Sequence, residues 1–193
     1  MILTVKDIAG RTYSREDFVF FWGHTDGRGR VPGKQCLSQW YEAPMVVHGV
    51  YYHCMEQYIM AEKARTFCDT ATEELIMAEH NQMEIKKLGR RVANYNDELW
   101  SAIRQDVSIR GNLAKFVQNE ALGDYLLSTG QRILVEASPK DTIWGIGVAE
   151  DSPDARVPSR WKGQNLLGFA LMEVRRRLPE VLNDERLRDF IQE

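Results

Sequence analysis

CMEQYIMAEK, from Cys54 to Lys63, reads as a helix that carries a glutamate and a lysine on one face. Glu56 and Lys63 are seven positions apart, close to two turns, so their heads project the same way and stand roughly 10 Å apart along the axis. That is too far for a strong direct ion pair, and it leaves room for a ligand with Ile59 and Met60 as its floor. A glutamate so placed can position water or shuttle a proton. A lysine is a point charge or, once desolvated, an amine nucleophile toward an aldehyde-like carbon. Spacing alone favours the plainer reading of two solvated helix positions.

Outward from this helix, the flanking chain alternates short apolar runs with helical patterns. Upstream, Ile2–Val5 and Phe18–Trp22 read as strands, His24–Gln35 as a solvated loop whose Arg30 and Lys34 have as their alternative role the lining of an entrance for a phosphorylated substrate, and Val46–Tyr52 as a hairpin turning at His48-Gly49. Downstream, Thr70 with Glu73 forms a capping-box pattern that predicts a second helix from about Ala71. Met83–Val92 is a third helix, and Asn96 caps a fourth in which Trp100, Ile103 and Val107 repeat at helical spacing. Leu113–Gln118 and Ala121–Leu127 continue the helical middle, with Gly130 as its stop. Arg132–Ala137 is a buried strand, Asp151–Ser159 a loop, and Leu166–Leu178 an amphipathic closing helix. These runs predict an α+β fold, a single mostly helical domain over residues 1–193 with a few short strands.

Composition narrows the function classes. The chain has 193 residues, 44% of them apolar, enough for one sizeable core, and a net charge of -3 that argues against general affinity for a phosphate backbone. Its three cysteines, Cys36, Cys54 and Cys68, show no CxxC spacing, and the four histidines show no ligand spacing, so neither a disulfide framework nor a metal site is expected. The charged N-terminus does not resemble a signal peptide and no run approaches a membrane span. The expectation is a soluble, cytoplasmic protein with no cofactor and no membrane partner.

Eight blocks then occur in a telling order: FVFFWG, CLSQWY, the stretch from Met55 to Ala64, KKLGRRV, NDELW followed by Arg104, LAKFVQN, LLSTGQRILVEASPKDTIWGIG and WKGQNLLGFALMEVR. In order and approximate spacing they resemble the NADAR family, also called YbiA-like, from about Phe18 to Leu178. The resemblance implies cleavage of an N-glycosidic bond between a ribose and an amine or base nitrogen. One branch of the family hydrolyses phosphoribosyl-amine intermediates of riboflavin synthesis. Another removes ADP-ribose from modified guanine in DNA. The implied partners are therefore a phosphoribosyl or ADP-ribose-like small molecule, or ADP-ribosylated single-stranded DNA. Residue by residue, the resemblance puts Glu56, Lys63, Trp100, Asp141 and Trp144 in the site, the last two within an E-A-S-P-x-D-x-x-W-G-x-G motif from Glu136 to Gly147. Where the family has Ser-Asn-Phe, this chain has Ser38, Gln39 and Trp40, which keeps an amide one carbon longer.

The chemistry fits those residue types. Breaking a C1–N bond leaves positive charge on the sugar, which a carboxylate at Glu56 or Asp141 stabilises while orienting water. Lys63 offers a second route, capturing the ring-opened sugar as a Schiff base. Trp100 and Trp144 are stacking faces for a heterocycle, Arg104 is placed to pair with phosphate, and Gly145 lets backbone approach a ligand. Ser38 precedes the altered amide, and Gln164 and Asn165 stand at a helix start that suits an anion or a ribose. A non-catalytic ADP-ribose or NAD-binding module would use the same pocket without a reactive lysine.

Overall fold

The computed structural model of the protein describes residues 2–24 and 32–192. Its strands are β1 (Phe18–Phe21), β2 (Glu42–Val47), β3 (Val50–Cys54) and β4 (Ile133–Glu136). Its helices are α1 (Val5–Ile8), α2 (Met55–Thr66), α3 (Thr70–Ala78), α4 (Gln82–Gly89), α5 (Asp97–Gln118), α6 (Glu120–Ser128), α7 (Leu166–Asn183) and α8 (Glu185–Gln192). The mostly helical α+β architecture expected from the sequence is the one found.

Two small sheets organise the chain. β1 and β4 pair in parallel, with Phe18 opposite Ile133 and Phe21 opposite Glu136, across a connection that holds most of the helices. Successive side chains on a strand point to opposite faces. Phe18, Phe20, Ile133 and Val135 accordingly join one core with Ile146 and Phe169, while Val19, Phe21 and Leu134 join another with residues of α5, α6 and α7. Both faces are covered, so the strands read as continuous apolar runs rather than alternating ones. Each such buried side chain contributes about 1.5–3 kcal/mol against exposure.

The second sheet is the hairpin β2–β3, whose two turn residues, His48 and Gly49, both have positive φ (50° and 72°). That left-handed pair matches the twist of an antiparallel ribbon, and Gly49 takes it without a Cβ penalty. Here the expected hairpin is present and longer. β3 runs directly into α2, so the helix that carries Glu56 is launched from a strand end. α2 packs on α3, α4 and α5, and these surround a third core that includes Tyr58, Ile59, Ile85, Trp100 and Val107.

Several local expectations are corrected. Ile2–Val5 is not a strand: a helical turn runs over Val5–Ile8, because Thr4 donates both its N–H and its hydroxyl to Asp7 Oδ2, each at 2.7 Å, which a strand cannot hold. The cap of α3 is Asp69, whose carboxylate accepts from Thr72 N, so the helix begins at Thr70 itself. The closing helix runs on to Asn183, through Pro179, and the expected 151–159 loop contains two 3-10 turns. The expected loop from His24 to Gln35 lies outside the described residues over positions 25–31, Arg30 included. Its described end is a 3-10 turn, Lys34–Leu37, in which Lys34 pairs with Glu150 at 2.9 Å.

Candidate active site

Glu56 sits in the first turn of α2, where its negative end complements the helix N-terminus. It is not a solvated helix residue: only 3% of it is exposed. Its N–H donates to Gln39 O at 2.9 Å, and its Oε2 accepts from the Trp40 indole N–H at 3.1 Å. The other oxygen, Oε1, is enclosed and has no hydrogen-bond partner among the described residues. Burial pushes this carboxyl up to about 7, against the pull of Lys86 and the Trp40 bond, and Asp141 raises it further.

Asp141 opens the turn after β4. Its Oδ1 accepts from Ile143 N (2.9 Å) and Trp144 N (2.8 Å), so the carboxylate itself folds the turn that presents Trp144. Its Oδ2 stands 3.8 Å from Lys86 Nζ, and that ammonium also lies 5.7 Å from the Trp40 ring. A third carboxyl shares the same field. Glu136, the last residue of β4, feels Asp141, Lys86 and Glu56, and burial pushes it up to about 8. Glu56, Glu136, Asp141 and Lys86 thus form one electrostatic cluster built from α2, β4, the turn after it and α4. The cluster stands at the carboxyl ends of the paired parallel strands, the end where α/β crevices bind ligands.

The remaining expected residues divide into those that face this cluster and those that hold the fold. Trp144 is part-buried and packs against two of the cores, bridging them beside Asp141. Trp100 is 5% exposed and belongs to the third core. Arg104 is buried, with its Nε enclosed and unpartnered among the described residues. Lys63 donates to Gly89 O at 2.8 Å and lies 4.1 Å from the Tyr95 ring centroid. Burial lowers its proton affinity, Asp97 works against that, and Arg90 adds to it. Ser38 serves the chain itself: its Oγ accepts from Trp40 N and its carbonyl from buried Lys115.

The anion seat expected at Gln164 and Asn165 is corrected. Asn165 is fully buried, and its amide ties β4 to α7, donating to Leu134 O (2.9 Å) and accepting from Glu136 N (3.1 Å). The first N–H groups of α7 donate to carbonyls of the preceding turn, Leu166 to Ile143 and Leu167 to Trp144, so neither is free for a ligand. Gln164 is exposed, with its N–H held by Thr142 O. Gly145 is also there for packing rather than for ligand approach. A Cβ on it would stand 2.8 Å from Glu136 O and 3.0 Å from Asp141 O.

Sequence reading missed four members of the site. Trp40 and Lys86 carried no pattern, since an indole donor and a lone lysine gain meaning only from what folds against them. Gln39 was noted as a departure; its amide Nε2 is buried and unpartnered among the described residues, on the residue whose carbonyl accepts from Glu56 N. Glu136 stood inside the quoted motif without a role. Two hollows of about 390 Å³ each adjoin one another through Leu3, Gln131 and Met172, and the lining of neither includes a member of the cluster. Among the described residues no three His, Cys, Asp or Glu side chains are grouped to hold a metal ion, and no helix is long and apolar enough to cross a membrane.

A mostly helical α+β domain with a buried glutamate inside a part-buried carboxylate cluster beside tryptophans has the parts of a hydrolytic site. The chain belongs to the NADAR family: its residues 20–179 match the NADAR domain. It is 39% identical over 165 residues to an N-glycosidase of Acanthamoeba polyphaga mimivirus, covering 83% of this chain and 95% of that one. It is 31% identical over 144 residues to a riboflavin biosynthesis protein of Vibrio vulnificus, covering 75% of this chain and 35% of that longer one. Among solved structures, the NMR structure of the E. coli protein YbiA superposes with a TM-score of 0.66 at 24% identity, over 90% of this chain and 92% of that one, which shows a shared fold.

Proposed function

We propose that the protein is an N-glycosidase that hydrolyses the C1–N bond of a phosphorylated ribosyl substrate. The observation that carries this reading is Glu56: a carboxyl 3% exposed, hydrogen-bonded on one oxygen and unpartnered on the other, within reach of Asp141's field. A carboxyl with affinity raised toward neutrality is suited to exchange a proton with water at ordinary pH. Asp141, pinned by two backbone N–H groups, supplies the negative charge that stabilises positive charge developing on the sugar. The names of the relatives support the reaction class, and the riboflavin name supports a phosphoribosyl-amine metabolite as its substrate.

Lys63 completes the proposed chemistry, either as an electrostatic contact or as an amine that captures C1. Its bond to Gly89 O and its place over the Tyr95 ring hold it as an ammonium, which favours the first. Trp144 walls the base or sugar, and Arg104 pairs with phosphate through its unpartnered nitrogen. ADP-ribosyl guanine in single-stranded DNA is the second substrate class for the same bond cleavage. Mass-spectrometric turnover on both substrates tests the reading. Ribose phosphate released from the phosphoribosylamino-pyrimidine is the expected result, and ADP-ribose released from a modified oligonucleotide alone would reassign the substrate. Binding without turnover of either would replace the enzyme by a reader module.

A further inference from the structure

Glu136 closes β4 with its main chain fixed on three sides. Its N–H donates to Asn165 Oδ1 at 3.1 Å, its carbonyl accepts from Ile146 N at 2.9 Å, and Gly145 lies against that carbonyl. So rigid a seat can hold a reactive group within a narrow tolerance. The side chain is half-buried, yet one oxygen, Oε2, is enclosed with no hydrogen-bond partner among the described residues. Glu56 Oε1 has the same character in the same cluster. Buried polar atoms are nearly always paired. Two unpaired carboxyl oxygens in one electrostatic cluster are the signature of a site whose partner is the substrate.

We propose that Glu136 is the proton donor of the reaction, delivering its carboxyl proton to the departing nitrogen while Glu56 takes a proton from the attacking water. The proposal rests on the N-glycosidase reading above. The C1–N bond breaks with its electron pair going to nitrogen, which receives the Glu136 proton. Water oxygen bonds to C1, and its proton goes to Glu56. Turnover leaves Glu136 ionised and Glu56 protonated, and passing one proton from Glu56 to Glu136, or through solvent, restores the start.

The surroundings favour this division of labour. Glu136 is faced by Asp141 from the turn after it, by Lys86 from α4 and by Glu56 from α2; Glu56 is faced in addition by Arg90 at the end of α4 and by the Trp40 N–H. Glu56 has the extra donor and the extra cation, and its carboxyl is pushed only to about 7, whereas Glu136 is pushed to about 8. The Trp40 N–H and Arg90 favour the ionised form of Glu56, and Glu136 has neither, which is the arrangement a base and an acid need.

The test uses the full chain, with wild type, Glu136→Gln and Glu136→Asp, the phosphoribosylamino-pyrimidine, and a 4-nitrophenyl riboside 5′-phosphate whose leaving group departs without a proton. Glu136→Gln should lose about 100-fold or more in kcat on the natural leaving group, as removal of a general acid does. It should lose the alkaline limb of its pH–rate profile and stay within about threefold of wild type on the nitrophenyl substrate. Glu136→Asp keeps an acid and should recover part of the rate together with the alkaline limb. Equal losses of Glu136→Gln on both substrates, or an unchanged alkaline limb, would overturn the proposal and leave Glu136 a structural residue. Wild type failing to cleave either substrate would instead remove the N-glycosidase reading itself.

Discussion

Replacing Glu56 by glutamine should make the protein less active and raise its stability relative to wild type as pH rises. A carboxyl raised from 4.5 to about 7 binds its proton more tightly folded than unfolded. Its favourable contribution is therefore fully present below about 4.5 and is lost as pH rises through about 7. At about 1.36 kcal/mol per pH unit, keeping the ionised group buried costs the fold about 3 kcal/mol above that range. Glutamine keeps an oxygen to accept the Trp40 N–H and has no charge to bury. Whatever fixed difference its amide nitrogen introduces is the same at every pH.

Thermal unfolding of wild type and Glu56→Gln from pH 4.5 to pH 8 reads this directly. The difference in stability should move toward the variant by about 3 kcal/mol across the range, which for a chain of this size is roughly 6–12 °C in Tm. A difference that stays constant with pH would refute the reasoning, since it would mean that Glu56 is no more reluctant to ionise in the fold than in the unfolded chain.

Other residues give separate outcomes. Trp40→Phe removes the indole hydrogen bond to the Glu56 carboxylate, so kcat should fall about tenfold and the acid limb of the pH–rate profile should move up, because that bond lowers the Glu56 value. Lys115→Met leaves Cys36 O and Ser38 O without their buried donor and should cost about 2 kcal/mol or more in urea unfolding, with Trp40 fluorescence reporting a loosened strap. Gly145→Ala drives a Cβ against Glu136 O and Asp141 O, so it should destabilise by about 1–3 kcal/mol and lower kcat more than it raises KM.

Local signals were legible in the sequence and long-range ones were not. His48-Gly49 named the hairpin because two left-handed residues have few other uses, and Asn96 named the start of α5 because its side chain does accept from Leu99 N at 2.9 Å. The Ile2–Val5 reading failed where an apolar pattern competed with a capping pair, Thr4 and Asp7, three residues apart. Spacing placed Glu56 on a helix face, but its hydrogen-bond partners, Gln39 O and the Trp40 indole, stand on a separate segment. The cluster itself depends on the parallel pairing of β1 with β4, which no local pattern announces. Lys115 shows the same limit: a charge inside a long helix reads as solvated until the 36–38 carbonyls are folded onto it.

One paired rate tests the role of Glu56 most directly. Initial release of ribose phosphate from the phosphoribosylamino-pyrimidine, followed by mass spectrometry near pH 7.5, should proceed with wild type and fall by at least about 100-fold in Glu56→Gln that unfolds cooperatively. Equal rates in the two proteins, or no release by wild type, would contradict it.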